Sequence, residues 1–207
     1  MLVCVQLPIK CTFFASELVW CGQVYPHGCV SHDPFRLQGL SDMRRPEIAT
    51  ELMQFLHAMN WLCTSLPPIA EVVAPLRVFL EELMVGAARR TKRVAKNRGI
   101  QPAAWTEDRQ REWAEAKDLV AHAVTLFHPR PDCQVLMFPA ASEFHWGSFV
   151  AQVPDADMQQ WLPVEEMTHE PLACLSGSFK DSQMRWATID KEGFAVVSTF
   201  RRLQHLL

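Results

Sequence analysis

Residues 133–153 have the sequence CQVLMFPAASEFHWGSFVAQV, which predicts two β-strands joined by a tight connection. The apolar run 135–138 suits a strand that is buried on both faces. Pro139 cannot donate a ladder hydrogen bond and three small residues follow it, so we expect the first strand to end there. Residues 148–153 alternate in period two and predict the return strand. The end of a buried strand is a suitable place for a catalytic carboxylate, but this one carries Ala140.

The composition is that of a globular protein. The chain has 207 residues, enough for one or two domains with a hydrophobic core. A hydrophobic fraction of 49% and a mean hydropathy of -0.02 are typical of soluble proteins. The formal net charge of -3 gives no overall attraction to nucleic acid or membrane, so such binding requires a local patch. No apolar stretch approaches the ~18 residues of a membrane-spanning helix, and we expect no membrane partner.

The seven cysteines are scattered, with no C-x-x-C pair and an odd total. This pattern predicts free thiols in a reducing compartment rather than a disulfide framework or a zinc site. The N-terminal sequence MLVCVQLPIKCTFFA has no basic residue before its apolar part, and Pro8 interrupts it, which argues against a signal peptide. We therefore expect a cytoplasmic or nuclear protein that is not secreted.

Strands and turns are predicted before residue 40, where β-rich segments are separated by turn residues. Helices are predicted over residues 46–62 and 69–83, where apolar residues recur at steps of three and four. Pro75 lies inside the second pattern and is expected to kink or divide that helix.

The second half is predicted to contain two more helices and a third strand. One helix is predicted over residues 105–130, with Thr106 as its N-cap. Residues 169–179 predict the strand, and residues 186–207 predict the last helix. Six apolar side chains of that helix are expected to face the sheet: Ile189, Phe194, Val197, Phe200, Leu203 and Leu207.

A run of basic residues between positions 89 and 98 is the strongest charge feature of the chain. It contains no acid, and its members are Arg89, Arg90, Lys92, Arg93, Lys96 and Arg98. Such a run can neutralise phosphates and make nucleic-acid binding salt-dependent, or serve as a nuclear-localisation signal. A solvated linker is as good an explanation as these two together, so the three interpretations stay open.

Residues 135–154, VLMFPAASEFHWGSFVAQVP, resemble the opening hairpin of the RNase H-like domain in Pol polyproteins of Ty3/gypsy-type LTR retrotransposons. That family has an apolar run, the sequence T-D-A-S, a W-G or W-A pair and a second apolar strand. The family's Asp, a metal-binding carboxylate, corresponds to Ala140, and Pro139 replaces the Thr. The sequence thus lacks one of the carboxylates with which the family binds its metal ions.

Two earlier regions carry the same resemblance. Residues 10–34 contain K-C-x-F-F-A-S-E-L-x-W-C-G, with G-C and D-P further on, and resemble the end of a reverse-transcriptase palm. By this resemblance Trp20, Cys21 and Gly22 correspond to the primer grip, which carries the primer terminus; an ordinary hairpin with a buried Trp is the alternative. Residues 45–76 resemble the thumb, a helical unit that lies on the template–primer duplex.

In the last helix, W-A-T-I-D-K-E-G-F-A-V-V-S-T-F resembles the family's second catalytic segment and places a metal-binding Glu on Glu192. A solvated surface acid is the alternative for this residue. The family's third acid lies on a strand that this sequence does not reach, and the palm Asp pair would precede Met1. The resemblance therefore implies two incomplete active sites, no functional metal site, and Mg²⁺ as cofactor only if missing segments complete the centre.

The resemblance divides the α+β chain into four parts. Residues 1–39 are expected to be the end of the palm with a hairpin, 40–88 a helical thumb-like region, 89–104 a basic linker, and 105–207 a truncated RNase H-like domain. The last part is expected to be a three-stranded antiparallel meander with helices on one face. Because the family's opening strand also pairs with a fourth strand, residues 135–138 are expected to leave an unpaired edge.

Three functions are compatible with these features. The first is a retrotransposon-derived Pol fragment without catalytic activity of its own. The second is part of a working RNA-directed DNA polymerase and ribonuclease H, completed by the remaining Pol segments. The third is a co-opted module that binds RNA–DNA hybrid or DNA duplex through the basic run.

Overall fold

The computed structural model describes residues 15–87, 91–160 and 162–204. Within these residues the chain forms two antiparallel sheets and seven α-helices, so the α+β prediction is confirmed. No helix in these ranges is both long and apolar enough to span a membrane.

The first sheet has four short strands in sequence order, and five of the described α-helices lie between its third and fourth strands. Its strands are β1 (Leu18–Trp20), β2 (Gln23–Tyr25), β3 (Cys29–His32) and β4 (Leu126–Phe127). The helices between β3 and β4 are α1 (Pro34–Ser41), α2 (Ala49–Trp61), α3 (Ile69–Leu83), α4 (Lys92–Lys96) and α5 (Glu107–Ala121).

The second sheet is a meander of three strands in the order β5-β6-β7, as the sequence predicted. Its strands are β5 (Cys133–Ala141), β6 (His145–Pro154) and β7 (Glu170–Ser178), and its helices are α6 (Asp155–Gln159) and α7 (Thr188–Arg202). Strand β5 lies at an edge and pairs only with β6 among the described residues, which agrees with the expected unpaired edge.

Strand β5 continues through Pro139 instead of ending there. The Ser142 amide donates to the His145 carbonyl in the connection to β6, so alternate amides further back on β5 also point toward β6. The nitrogen of Pro139 therefore points to the open edge, where no ladder bond is lost. The prediction was wrong because a proline is tolerated on an edge strand.

Helix α5 ends at Ala121, earlier than the prediction of residue 130. It packs against α3 and α1, and Trp113, Ala116 and Val120 join one core with α2 and α3. The Val124 amide then donates to the Ser65 carbonyl, and β4 pairs with β3. The residues after α5 thus form the fourth strand of the first sheet instead of continuing the helix.

Two helical predictions in the first half need correction. Residues 34–39 were assigned to strands and turns, but α1 begins there with Asp33 as its cap, whose carboxylate accepts the Phe35 amide. Pro34 at the first helical position is a typical start signal. Helix α3 is not divided at Pro75, because its face is buried against α2 and α5, so only the kink remains of that prediction.

Helix α7 presents a different face to the sheet from the one predicted. Its buried residues are Lys191, Ala195 and Thr199, while Ile189 is 77% exposed. Val197 and Phe200 are also exposed; Phe194 is partly buried, Leu203 is buried, and Leu207 lies outside the described residues. The polar side chains tolerate burial because the Thr199 hydroxyl donates to the Ala195 carbonyl and the Lys191 amine to the Glu143 carbonyl.

Helices meet both faces of the meander, not one. Trp146 and Leu175 lie on the face that α7 covers, together with Ala195 and Phe194. Ser176 must project to the opposite face, since side chains alternate along a strand. Its hydroxyl accepts the Ala70 amide at the start of α3, so the helical region contacts that second face.

Candidate functional site

The N-terminal half of α7 is hydrogen-bonded to the end of β5 and to the connection between β5 and β6. One carboxylate oxygen of Glu192 accepts the Ala141 amide at 3.2 Å. The neighbouring Lys191 amine donates to the Glu143 carbonyl at 2.7 Å and lies 5.4 Å from the Phe179 ring centroid. Adjacent helical residues of opposite charge thus hold the end of β5 and the turn that follows it.

Ala140 lies one residue before the amide that Glu192 binds. It pairs with Gly147 across the hairpin, and its side chain projects to the face opposite that of Ala141. A cavity of about 250 Å³ opens on this side, and its lining includes Glu71, Ala140, Ser142, His145 and Ser176. The structure therefore brings Glu192 to the position next to Ala140, but the carboxylate contacts the backbone edge.

The Trp20, Cys21 and Gly22 segment forms the end of the β1–β2 hairpin. Cys21 and Gly22 both have positive φ, 51° and 81°, which is the geometry of a two-residue type I′ turn. Trp20 is 63% exposed, so the alternative of a buried tryptophan does not apply.

Gly22 lies beside the exposed end of the Arg36 side chain of α1, which could shift for a Cβ atom, so its positive φ rather than the space around it favours glycine. A Cβ atom at this position would lie 2.5 Å from the Arg36 guanidinium. Sequence reasoning missed Arg36, because residues 34–39 were read as strands and turns. The signal that was available is the Asp-Pro pair at positions 33–34, a typical helix start.

The basic run is partly a helix that docks on α2. Ala95 of α4 is fully buried, and the Thr50 hydroxyl donates to the Lys92 carbonyl at 3.3 Å. The Arg98 carbonyl accepts the Ala49 amide at 2.9 Å. The side chains of Lys92, Arg93 and Lys96 are exposed, that of Arg98 is half-buried, and Arg89 and Arg90 lie outside the described residues. The described part of the run is thus a packed element with an outward positive surface.

In the part of the chain that the structure describes, no group of three or more His, Cys, Asp or Glu side chains is arranged to hold a metal ion. The cysteines of the same part, Cys21, Cys29, Cys63, Cys133 and Cys174, are free thiols. Burial raises the pKa of the Cys174 thiol to about 11, so this side chain is neutral at physiological pH.

Comparison with known families identifies the second half of the chain. Residues 105–207 match the RNase H-like domain found in reverse transcriptase. These residues belong to the reverse-transcriptase RNase H-like family. The RNase H-like domain so defined begins with α5, although that helix packs into the core of the helical region.

Viral polyproteins are similar to a longer part of the chain. The enzymatic polyproteins of cauliflower mosaic virus strains D/H and Strasbourg are 24% identical to it over 154 residues. These matches include 73% of this chain but 19% of each polyprotein, so the chain spans a small part of its relatives' length.

Solved structures of a retroviral enzyme share the fold of nearly the whole chain. The foamy viral protease–reverse transcriptase in complex with an RNA/DNA hybrid has a TM-score of 0.68 and 15% identity, covering 96% of this chain and 23% of that one. The same enzyme in complex with double-stranded DNA has a TM-score of 0.66 and 14% identity, covering 93% and 34%. The helical region and the RNase H-like domain thus have the arrangement of a reverse-transcriptase fold.

Proposed function

We propose that this chain is part of a retroelement Pol polyprotein, a thumb-like helical region followed by an RNase H-like domain, that cannot cleave RNA by itself. The single observation that carries the proposal is the contact between Glu192 and the amide of Ala141, next to an alanine where the family has its metal-binding Asp. The expected division at residues 39, 88 and 104 remains part of this proposal.

The side chains at this place do not fit a two-metal centre. Two Mg²⁺ ions need several carboxylate oxygens that converge from different elements. Ala140 offers no donor atom, and one oxygen of Glu192 is engaged by the Ala141 amide. We therefore assign Glu192 a structural role, and no catalytic step through a metal follows from these residues.

A cleavage assay on an RNA–DNA hybrid tests the proposal. We expect no product from the purified chain with either Mg²⁺ or Mn²⁺, because a single carboxylate cannot position the ions. Glu192→Gln, which keeps an acceptor oxygen but removes the charge, is the matched variant. Metal-dependent cleavage by the wild type that disappears in Glu192→Gln would overturn the proposal and favour a working ribonuclease H.

Within retroelements we propose the Ty3/gypsy type of LTR retrotransposon. Support comes from the order of the motifs, from the W-C-G hairpin through VLMFPAAS to the last helix. The free thiols support a cytoplasmic or nuclear location, since a reducing compartment keeps cysteines unpaired.

A second candidate function, binding of RNA–DNA hybrid or DNA duplex, is favoured by α4. This short helix is fixed by the burial of Ala95, and its exposed Lys92, Arg93 and Lys96 can contact phosphates. The exposed Trp20 and the guanidinium of Arg36 beside Gly22 offer a second contact region on the β1–β2 hairpin. Foamy viral reverse transcriptase, which shares this fold, has been solved with both kinds of duplex.

A further inference from the structure

The outer face of α7 is apolar, although it is turned away from the sheet. Ile189 is 77% exposed, and Trp186, Val197 and Phe200 are exposed at 39%, 47% and 48%. Within α7, Ile189, Gly193, Val197 and Phe200 recur at steps of four and three and form one stripe, and Trp186 lies just before the helix with its ring 5.7 Å from that of Phe194. We call the four stripe residues together with Trp186 the α7 seam. A contiguous apolar stripe on a soluble surface marks a site of association.

Gly193 forms a depression in the middle of the α7 seam. Nothing lies within 4 Å of a Cβ atom built at this position, so packing within the chain does not require a glycine. Glycine is also unfavourable inside a helix. An open cavity at this place is lined by Trp186, Asp190, Gly193, Phe194, Val197 and Arg201. The depression is therefore available to a side chain from outside the chain.

Two opposite charges lie on the same side of the seam. Asp190 and Arg201 are exposed and separated by eleven residues, which places them ~16 Å apart along the helix and within ~20° around it. If a second α7 packs antiparallel about a two-fold axis, each side of the seam meets the same side of the other copy. Asp190 then faces Arg201 of the second copy, and the reverse pair forms by symmetry. In a parallel arrangement Asp190 would lie level with Asp190 of the second copy and Arg201 with Arg201, so neither attractive pair would form.

The same register matches the apolar residues. With the two-fold axis midway between Asp190 and Arg201, Gly193 and Val197 of the second copy lie at nearly the same level, ~1.5 Å apart along the axis. Ile189 lies within ~3 Å of the level of Phe200 of the second copy, on the other side of the seam. Val197 thus fills the depression over Gly193 while Ile189 packs on Phe200, twice in each pair of molecules.

We propose that the α7 seam is a self-complementary surface that binds a second copy of this chain through antiparallel α7 helices. The inference does not depend on whether the chain cleaves or binds nucleic acid. The helical part of the seam spans only about three turns, so we expect a weak, reversible dimer.

Sedimentation of the full chain over a range of micromolar concentrations tests the proposal. We expect a concentration-dependent dimer in the wild type. Asp190→Arg and Arg201→Asp should each weaken association about tenfold or more, since each replaces two attractive pairs with two repulsive ones. The double exchange Asp190→Arg with Arg201→Asp should restore the dimer. The same changes at Asp108 and Arg111, an exposed pair on α5, serve as the control and should leave association unchanged.

Gly193→Leu separates folding from association. Leucine is a better helix former, so the variant should be at least as stable as the wild type to heat, while its side chain fills the depression and blocks the second copy. We expect a folded monomer. A wild-type dimer that is insensitive to Gly193→Leu and to both charge reversals would overturn the proposal. A wild type that stays monomeric at all concentrations would also overturn it, and would indicate that another part of a longer polyprotein covers the seam.

Discussion

At the scale of single residues, Lys191 and Glu192 connect α7 to the β5–β6 hairpin by two hydrogen bonds to backbone atoms. Ala141 lies on the open edge of β5, where its amide has no strand to pair with among the described residues. An acceptor at this point satisfies a donor that would otherwise depend on solvent. The acid that the family uses for metal binding is therefore compatible with a purely structural contact here.

This contact predicts how Glu192 variants unfold. Glu192→Ala should lower the free energy of unfolding by about 1–2 kcal/mol, because it removes a hydrogen bond to a charged acceptor. Glu192→Gln should lose less, since the amide oxygen can still accept the Ala141 amide. Urea denaturation measures both, and Glu115→Ala, at an exposed helical position, is the control. Equal stability of the Ala variant and the wild type would show that the bond does not contribute.

At the scale of elements, α4 shows how a charged segment is fixed without losing its exposed surface. One buried alanine and hydrogen bonds to α2 at the Lys92 and Arg98 carbonyls hold the backbone in place. Because this backbone is already ordered, less conformational entropy is lost when its lysine and arginine side chains bind phosphates. A packed basic helix is therefore a better binding element than a solvated linker of the same composition.

Charge reversal of α4 should weaken duplex binding and change its salt dependence. A triple variant, Lys92→Glu, Arg93→Glu and Lys96→Glu, should lower the slope of log affinity against log salt by about 3, if each residue neutralises one phosphate. Fluorescence anisotropy with an RNA–DNA hybrid at several salt concentrations measures this.

A control triple variant carries the same charge change at Arg111, Lys180 and Arg185, which are exposed elsewhere on the chain. It separates a local effect of α4 from a change in net charge. An equal loss of slope in both triple variants would indicate that binding has no preference for α4.

At the scale of the whole molecule, His32 lies where three parts of the chain meet. It is 5% exposed on β3, and its Nε2 lies 2.9 Å from the hydroxyl of Ser65, which follows α2. The Ser65 carbonyl accepts the Val124 amide after α5, and the Trp61 ring packs edge-on against the imidazole at 5.0 Å. The imidazole Nδ1 is buried without a hydrogen-bond partner among the described residues. Burial lowers the pKa of His32 because it disfavours the charged ring.

The direction of that shift predicts a loss of stability in acid. The unfolded chain binds a proton at His32 at a higher pH than the folded chain, whose pKa lies below the ordinary value of about 6.5. The free energy of unfolding should therefore fall as the pH drops from about 7 through the folded pKa, and the contribution is fully present above pH 7.

His32→Phe should flatten this pH dependence while keeping an aromatic ring beside Trp61. Its stability at neutral pH should be lower, because the Ser65 hydroxyl loses its partner. His57→Phe, on the exposed side of α2, should keep the wild-type fall. Thermal melts between pH 5 and pH 8 measure all three proteins, and the same acid-induced loss in His32→Phe would assign the effect to other groups.

The sequence by itself determined the local structure where the physical cause is local. Apolar spacing placed α3 at residues 69–83, and the W-C-G segment formed a hairpin because Gly22 accepts positive φ. The same local patterns, compared with a known family, placed Glu192 near the strand that carries Ala140. They also show why α1 was missed, since its Asp-Pro start is equally a turn signal.

Only the tertiary structure decided which surfaces meet. The period of apolar residues in α7 says how they are spaced, but not whether the sheet covers Ile189, Val197 and Phe200 or instead Lys191, Ala195 and Thr199. In the structure the second set faces the sheet, because small and hydrogen-bonded side chains allow the helix to lie close to the strands. Pro139 likewise remained in a strand because β5 is an edge, and the edge position depends on all three strands of the sheet.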